Sequence, residues 1–289
     1  MKTIDQISSI AVAGAGTMGS GIAQLAAQAG FKTVLYDVTG QLADKGLSVI
    51  RRNLAVATEK HKISAAQAEE ILGRIQITSH DEDLTADVVI EAIIEKPEIK
   101  MALFRNIAGQ KHGDQSIFCT NTSSIPVSVL ADGIPYPERV AGMHFFNPAH
   151  LMKLVEVVSG RQTSEACAQT VFALALKMGK YPVMVKDRPG FIVNRIGKMY
   201  HTEPLKILEE QTAGAETIDR LLESSGFKMG PFKLMDLIGL DANLRVTQSL
   251  YELMNHEARF KPSELQQQLV DSGRLGRKSG HGFFDYDET

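Results

Sequence analysis

The chain has 289 residues, is 44% hydrophobic and 22% charged, and carries a formal net charge of −3. That length suits roughly two domains, each able to bury a core, and the composition is that of a globular chain. The slight negative charge argues against a general nucleic-acid binder, and no run of about 18 apolar residues offers a membrane span.

The start, MKTIDQISS, lacks an apolar signal core, and the two cysteines, Cys119 and Cys167, have no metal-like spacing. Both fall in apolar patterns and read as buried thiols, which fits a reducing compartment; the expectation is a cytoplasmic protein. Ile10–Asp37 reads as a buried strand, a glycine turn, a helix over Met18–Ala29, a second strand and a closing acid. Gly14, Gly16 and Gly19 have G-x-G-x-x-G spacing. The first permits a tight turn, the second lets a pyrophosphate approach the backbone, and the third lets helix pack on strand. The helix N-terminus, at Thr17 and Met18, offers unpaired N–H groups to phosphates. Asp37 lies about 20 residues on, where a carboxylate takes the ribose 2′-hydroxyl and repels a 2′-phosphate. NAD is the cofactor this stretch predicts.

Two helical segments follow, Gln41–Lys60 and Ser64–Arg74, joined by a polar turn, with a capping-box pattern at Ser64 and Gln67. They form an insertion between the second and third strands. Lys60 sits at the tip, with Arg51, Arg52 and Asn53 before it; on pattern alone this is a solvated charged face or an anion site. Arg74–Thr78 and Ala86–Ala92 read as strands, and Glu91, Glu95 and Lys100 fall at or beyond the second of them. Strand Ser116–Thr120 runs into Asn121, Thr122, Ser123 and Ser124. Such short polar side chains past a strand end suit ligand contact, and one serine is expected to cap the helix after Pro126.

Arg139–Phe145 and Met152–Val158 are strands joined by FNPAHL. In a simple hairpin centred on residue 150, His144 and Glu156 are equidistant from the centre and face each other, with Cβ atoms about 5 Å apart. The pair either tunes a catalytic imidazole or buttresses the hairpin. A helix over Ser164–Met178 and a strand over Tyr181–Val185 complete the first domain, expected at 1–188, with Pro189 and Gly190 as a hinge. Beyond it strand patterns vanish. A long helix from Phe191 is predicted to kink at Pro204, with Asn194 near its first turn. Further helices are expected at Ala215–Ser224, Leu234–Glu257 (broken near Gly239) and Ser263–Ser272. The tail GRLGRKSGHGFFDY reads as a loop docking Phe283, Phe284 and Tyr286 into the core. The remaining histidines show no ligand spacing, and no metal site is assigned. The fold class is α/β: a Rossmann-type dinucleotide-binding domain with a helical insertion, then an all-α domain at 189–289.

The motifs GAGTMGSGIAQ, NTSS, GMHFFNP, MKLVEVV, PGFIVNR, MGP, IGLD and GRKSGHGF occur in this order along nearly the whole chain. In them the sequence resembles the single-function L-3-hydroxyacyl-CoA dehydrogenases, and within these the bacterial 3-hydroxybutyryl-CoA dehydrogenases. The resemblance implies an NAD-dependent oxidoreductase acting on acyl-CoA thioesters, with His144 as general base and Glu156 orienting it. It implies Ser123 and Asn194 as hydrogen-bond partners of the substrate oxygens. Asp37, Glu95 and Lys100 are implied as cofactor contacts with Asn121 close by, and Asn53 and Lys60 as contacts to coenzyme A. The second domain is implied to close over substrate and to form a homodimer. Two departures stand out: Val56 where some relatives carry a basic residue, and Pro204 where relatives usually have alanine.

Overall fold

Apolar runs rich in Val, Ile and Ala, bounded by turns, become the buried strands of one sheet. The computed structural model describes residues 1–286, so the end of the expected second domain, 287–289, lies outside the described residues. The chain divides into two compact units, Met1–Arg188 and Pro189–Thr289.

The first unit opens with β1 (Ser9–Ala13), α1 (Thr17–Gln28) and β2 (Lys32–Tyr36). Next come the helical insertion α2 (Gly40–Glu59) and α3 (Ala65–Gly73), then β3 (Ile75–Thr78). The capping box at Ser64 is formed: its side chain accepts from the Gln67 amide, and Gln67 reaches back to the Ser64 amide. After β4 (Val88–Glu91) come α4 (Pro97–Gly109), β5 (Ile117–Thr120) and the short α5 (Val127–Asp132). The unit ends with β6 (Val140–Phe145), β7 (Leu154–Ser159), α6 (Glu165–Lys177) and β8 (Tyr181–Lys186).

The eight strands lie in the order β3-β2-β1-β4-β5-β6-β7-β8. All neighbours pair in parallel except β6 and β7, which are antiparallel. The order of the first six is the doubly wound Rossmann order, which reverses direction at β1 and β4 and binds ligands at the carboxyl ends there. Central strands are buried throughout, as parallel sheets covered on both faces must be: Val88, Val89 and Ile90 have no exposed surface. Cys119 on β5 and Cys167 on α6 are buried free thiols, and burial pushes Cys167 up to about 12.

The second unit is helical: α7 (Val193–Gly197), α8 (Met199–Glu209), α9 (Ala215–Ser224), α10 (Pro231–Ile238), α11 (Leu240–Leu253) and α12 (Glu264–Asp271). Its core gathers Leu205, Ile218, Phe232, Met235 and Leu240. The expected helix from Phe191 is divided, but at Lys198 rather than at Pro204, which sits inside α8. The N–H that Pro204 lacks would have bonded the carbonyl of residue 200, inside α8, so the proline does not account for the division, and Lys198 itself keeps helical angles (φ −62°, ψ −31°). The break between α10 and α11 is at Gly239, whose φ of +98° favours glycine.

The tail folds around one acid. Asp236, 1% exposed, accepts from the amides of Phe283 (2.9 Å) and Phe284 (3.0 Å) and from the Tyr286 hydroxyl (2.9 Å). Phe283 packs its ring 4.7 Å from that of Phe232. The glycines of this segment make room for the acid: a Cβ on Gly282 would lie 2.0 Å from Asp236 Oδ1. Among the described residues, no helix is long and apolar enough to cross a membrane.

Candidate active site

The carboxyl ends of β1, β4, β5 and β6 lie along one edge of the sheet, since these strands run parallel. Residues at each end build the site.

At the end of β1 the chain turns at Gly14, with φ of +100°. The Gly14 amide donates to the Tyr36 carbonyl, and the Ala15 amide to Asp37 Oδ2, each at 2.8 Å. A Cβ on Gly14 would meet the Ala92 oxygen at 2.7 Å, and one on Gly19 would meet the Gly14 oxygen at 1.7 Å. Gly16 has nothing within 4 Å of such a Cβ. The outer two glycines therefore serve close packing, while the middle one faces open space. Gly16 is also the N-cap of α1 and supplies no side chain to the amides of the first turn, at Thr17, Met18 and Gly19. Open backbone with positive partial charge fits a pyrophosphate. Asp37 stands beside this loop just past β2, its other oxygen accepting from the Val38 amide at 2.8 Å. A carboxylate has about four acceptor sites, which leaves capacity for a ribose hydroxyl.

At the ends of β4 and β5 lies a buried charge cluster. Glu91, the last residue of β4, is 0% exposed, and Lys100 on α4 is 1% exposed. Lys100 Nζ lies 2.5 Å from Glu91 Oε1, 3.0 Å from Glu95 Oε2 and 3.4 Å from the Ile93 carbonyl. Its hydrogen bonds go to Glu91 and the Ile93 carbonyl, and its charge also pairs with Glu95. Glu91 Oε2 accepts from Thr120 Oγ1 at 2.8 Å. Glu95 Oε1 accepts from the Thr122 hydroxyl, the amides of Ser123 (3.0 Å) and Ser124 (3.3 Å), and the Ser124 hydroxyl (3.2 Å). Burial works to raise the Glu95 carboxyl, but the Lys100 ammonium, Thr122 and Ser123 outweigh it and hold it below the usual carboxylate range. What Glu95 holds is thus the loop bearing Ser123, whose hydroxyl donates to none of the described residues.

The expected serine cap is replaced. The first amides of α5, on Val127 and Ser128, donate to the two oxygens of Asp187 at 3.0 and 2.8 Å. Asp187 reaches them from just past β8, a long-range partner that local pattern does not show.

At the end of β6, His144 is paired in register with Glu156, as the hairpin's symmetry requires. The two are 6% and 1% exposed, and His144 Nδ1 lies 2.8 Å from Glu156 Oε2. The Phe146 ring packs 4.7 Å from the imidazole. Asn121 ties this strand end to β5: its side-chain oxygen accepts from the Phe145 amide at 2.9 Å. The following loop is pinned by Lys180, 5% exposed, which donates to the carbonyls of Ala149 (2.6 Å) and Met152 (2.8 Å). Nothing in the sequence pattern marks Lys180 or Asp187 for these tasks.

The insertion contributes Asn53 and Lys60 on α2 and its C-cap. Asn53 is tied to α1 by a 3.0 Å bond from its amide to Gln24 Oε1, whereas Lys60 is exposed. Asn194 belongs to the second unit, in the first turn of α7.

Residues 9–188 match the profile of the 3-hydroxyacyl-CoA dehydrogenase NAD binding domain, and residues 190–286 that of its C-terminal domain. The chain is 45% identical over 282 residues to a 3-hydroxyadipyl-CoA dehydrogenase of Escherichia coli, covering 97% of this chain and 59% of that protein. It thus spans about three fifths of that relative's length. A probable 3-hydroxybutyryl-CoA dehydrogenase of Bacillus subtilis is 41% identical, with 98% of this chain and 99% of the relative covered. The crystal structure of (S)-3-hydroxybutyryl-CoA dehydrogenase from Ralstonia eutropha superposes with a TM-score of 0.93 at 37% identity, covering 98% of this chain and all of that one. With its glycine turn, its uncapped helix start and both profile matches in place, the chain belongs to the 3-hydroxyacyl-CoA dehydrogenase family, the NAD-dependent oxidoreductases of that name.

Proposed function

We propose that the protein interconverts (S)-3-hydroxyacyl-CoA and 3-oxoacyl-CoA thioesters with NAD, on short chains such as 3-hydroxybutyryl-CoA and acetoacetyl-CoA. The observation that carries this reading is the buried His144–Glu156 pair at 2.8 Å on the ligand-binding edge of the sheet. NAD supplies the hydride acceptor. In the oxidation C3 loses a hydride and the 3-hydroxyl loses a proton, which His144 accepts as general base; in the reduction the imidazolium returns it. Glu156 occupies Nδ1, so Nε2 is the nitrogen that exchanges the proton, and the adjacent carboxylate stabilises the imidazolium. Ser123 hydrogen-bonds a substrate oxygen and helps to hold C3 in position, since hydride transfer needs near-contact geometry.

Gly14, Gly16, Thr17, Met18 and Gly19 would hold the cofactor's pyrophosphate and Asp37 its ribose, with Glu95 and Asn121 as further contacts. Asn53 and Lys60 receive the coenzyme A moiety, where an exposed lysine suits a phosphate. The helical unit pairs two copies of the chain. Exposed apolar side chains support the pairing: Ile196, Leu221, Phe227, Leu237 and Ile238.

The test is oxidation of NADH by the purified protein with acetoacetyl-CoA, beside free acetoacetate and beside NADPH. Turnover with the thioester and NADH is the expected result. Equal turnover of free acetoacetate would overturn the acyl-CoA assignment and, with it, the role of Lys60. Binding of NADH without any turnover would overturn the enzymatic reading of this chain.

A further inference from the structure

The turn that follows β6 is gripped from two sides. Its core is the stretch 148–152, closed by the Leu151 and Met152 amides, which both donate to the Pro148 carbonyl at 3.0 Å. On one side α1 lies close against it: a Cβ on Gly21 would sit 3.0 Å from Ala149 Cβ. On the other stands Lys180, whose ammonium donates to the Ala149 and Met152 carbonyls at 2.6 and 2.8 Å. Lys180 reaches the turn because of the way α6 ends. Gly179, with φ of +73°, reverses the chain, and the amides of Gly179 and Lys180 donate back to the carbonyls of Leu176 (2.9 Å) and Ala175 (3.0 Å). Tyr181 then enters β8 beside Leu154, its amide donating to the Lys153 carbonyl at 2.8 Å. Because β7 runs antiparallel to β6 and parallel to β8, this start of β8 lies at the same edge of the sheet as the end of β6. Enclosing a lysine, 5% exposed here, costs hydration and side-chain freedom, and both carbonyls that meet this ammonium belong to the one turn.

The turn bears on His144 through Phe146, whose ring packs 4.7 Å from the imidazole at an angle of 57°. The Phe145 amide is tied to Asn121, and Ala149 is held by Lys180 and α1, so the three residues between, 146–148, are fixed at both ends. A hydrogen bond at one ring nitrogen sets the direction of an imidazole but not the tilt of its plane, which a ring packed beside it limits. We propose that Lys180 is a positioning residue for the reaction: it clamps the turn at 148–152, which holds the Phe146 ring against His144 and keeps the imidazole aimed at the substrate. This inference rests on the role given to His144 above, and Lys180 acts in it only through the turn. An imidazole out of line by a fraction of an ångström exchanges its proton less well, and the loss falls on turnover rather than on binding.

The test is a double-mutant cycle on the full-length protein. Lys180→Met, which keeps the apolar stem and removes the donors, is made alone and combined with Phe146→Ala. NADH affinity is read by fluorescence, kcat and KM with acetoacetyl-CoA at saturating NADH, and the melting temperature is recorded so that rates refer to folded protein. Lys180→Met is expected to lower kcat about tenfold while KM and the NADH Kd stay within about threefold, and Phe146→Ala to show the same split. In the Phe146→Ala background, Lys180→Met is expected to lower kcat by less than about threefold, because the ring it positions is gone.

Lys180→Met leaves two carbonyls without their donor, so Lys180→Gln, which keeps an amide donor one atom shorter, carries the cycle if the methionine variant fails to fold. A lower melting temperature with kcat retained would make Lys180 a staple of the fold alone and overturn the proposal. A rise of about tenfold in KM or in the NADH Kd with kcat retained would make it a binding contact and overturn it too. Strictly multiplicative losses in the two backgrounds would show that Lys180 does not act through Phe146, with the same consequence. If His144→Gln turns over like the parent protein, the reading of His144 falls first and this inference falls with it. That outcome is distinct, since it appears before Lys180 is changed.

Discussion

His144 shows how much of a residue's role follows from its neighbours. Its Nδ1 is engaged by a carboxylate that is itself buried, and under the proposed function that carboxylate orients the ring for proton exchange. Replacing His144 with Gln keeps a polar side chain but removes the proton acceptor. Turnover should fall by roughly two to four orders of magnitude, with KM for acetoacetyl-CoA little changed. Steady-state kinetics would check this, and a near-normal kcat would end the assignment. Asp37 has two duties. It takes the Ala15 amide, shaping the glycine loop, and under the proposed function it also meets the ribose, where its charge would repel a 2′-phosphate. Asp37→Ala should therefore weaken NADH binding and improve NADPH relative to it, narrowing the preference by about tenfold or more, the scale of one hydrogen bond to a charged group. Paired titrations with the two cofactors measure it; an unchanged ratio would mean that another group reads the ribose. The pairing of His144 with Glu156 was legible in the symmetry of a short hairpin, and the place of Asp37 beside the glycine loop in its spacing from the glycines. The sequence did not show that Lys100 is enclosed. A lysine in a helix reads as solvated, and only the carboxylates of Glu91 and Glu95, brought in from the β4 end, show otherwise.

At the scale of elements, the segments with strong periodicity have the expected extents, and the discrepancies lie where a distant partner decides. The start of α5 is capped by Asp187 rather than by a nearby serine. The helix from Phe191 divides at Lys198, a residue with a distinct environment of its own. Lys198 is 4% exposed, and its Nζ donates to the Asn243 carbonyl at 2.7 Å. Burial pushes its ammonium down to about 7. Burial and the Lys198 charge also push the neighbouring His201 down to about 3. A lysine whose folded value is depressed binds fewer protons folded than unfolded. Its contribution to stability thus rises with pH, from about 7 up to the unfolded value near 10.4, at about 1.4 kcal/mol per pH unit. Below about 7 both states are charged, and the penalty for burying the ammonium is at its maximum. Urea midpoints taken at intervals across that window should climb more steeply for the parent protein than for Lys198→Met. Parallel profiles would show that Lys198 is not the group responsible.

At the scale of the whole molecule, both units were legible as fold classes: alternating apolar runs and glycine turns give the sheet, and their disappearance after Pro189 gives the helical part. The packing of the tail was less so. Its glycines and aromatics suggest docking, but that they converge on Asp236 depends on an acid more than forty residues earlier in the chain. The proposed pairing of two copies belongs to this scale as well. Light scattering should return about twice the 31.6 kDa of one chain, and a mass near the single value at micromolar concentration would remove the dimer. The enclosed lysines carry one more consequence. Lys100, Lys180 and Lys198 are 1%, 5% and 4% exposed, so a water-borne amine reagent finds them shut away while surface lysines react. They are built-in reporters of opening: acylation at Lys100 or Lys180 times breathing of the first unit, and acylation at Lys198 times that of the second. Peptide mass mapping after brief labelling should find these three unmodified in the native protein. The order in which they gain label under rising denaturant would then tell which unit unfolds first, with no dye or engineered probe added.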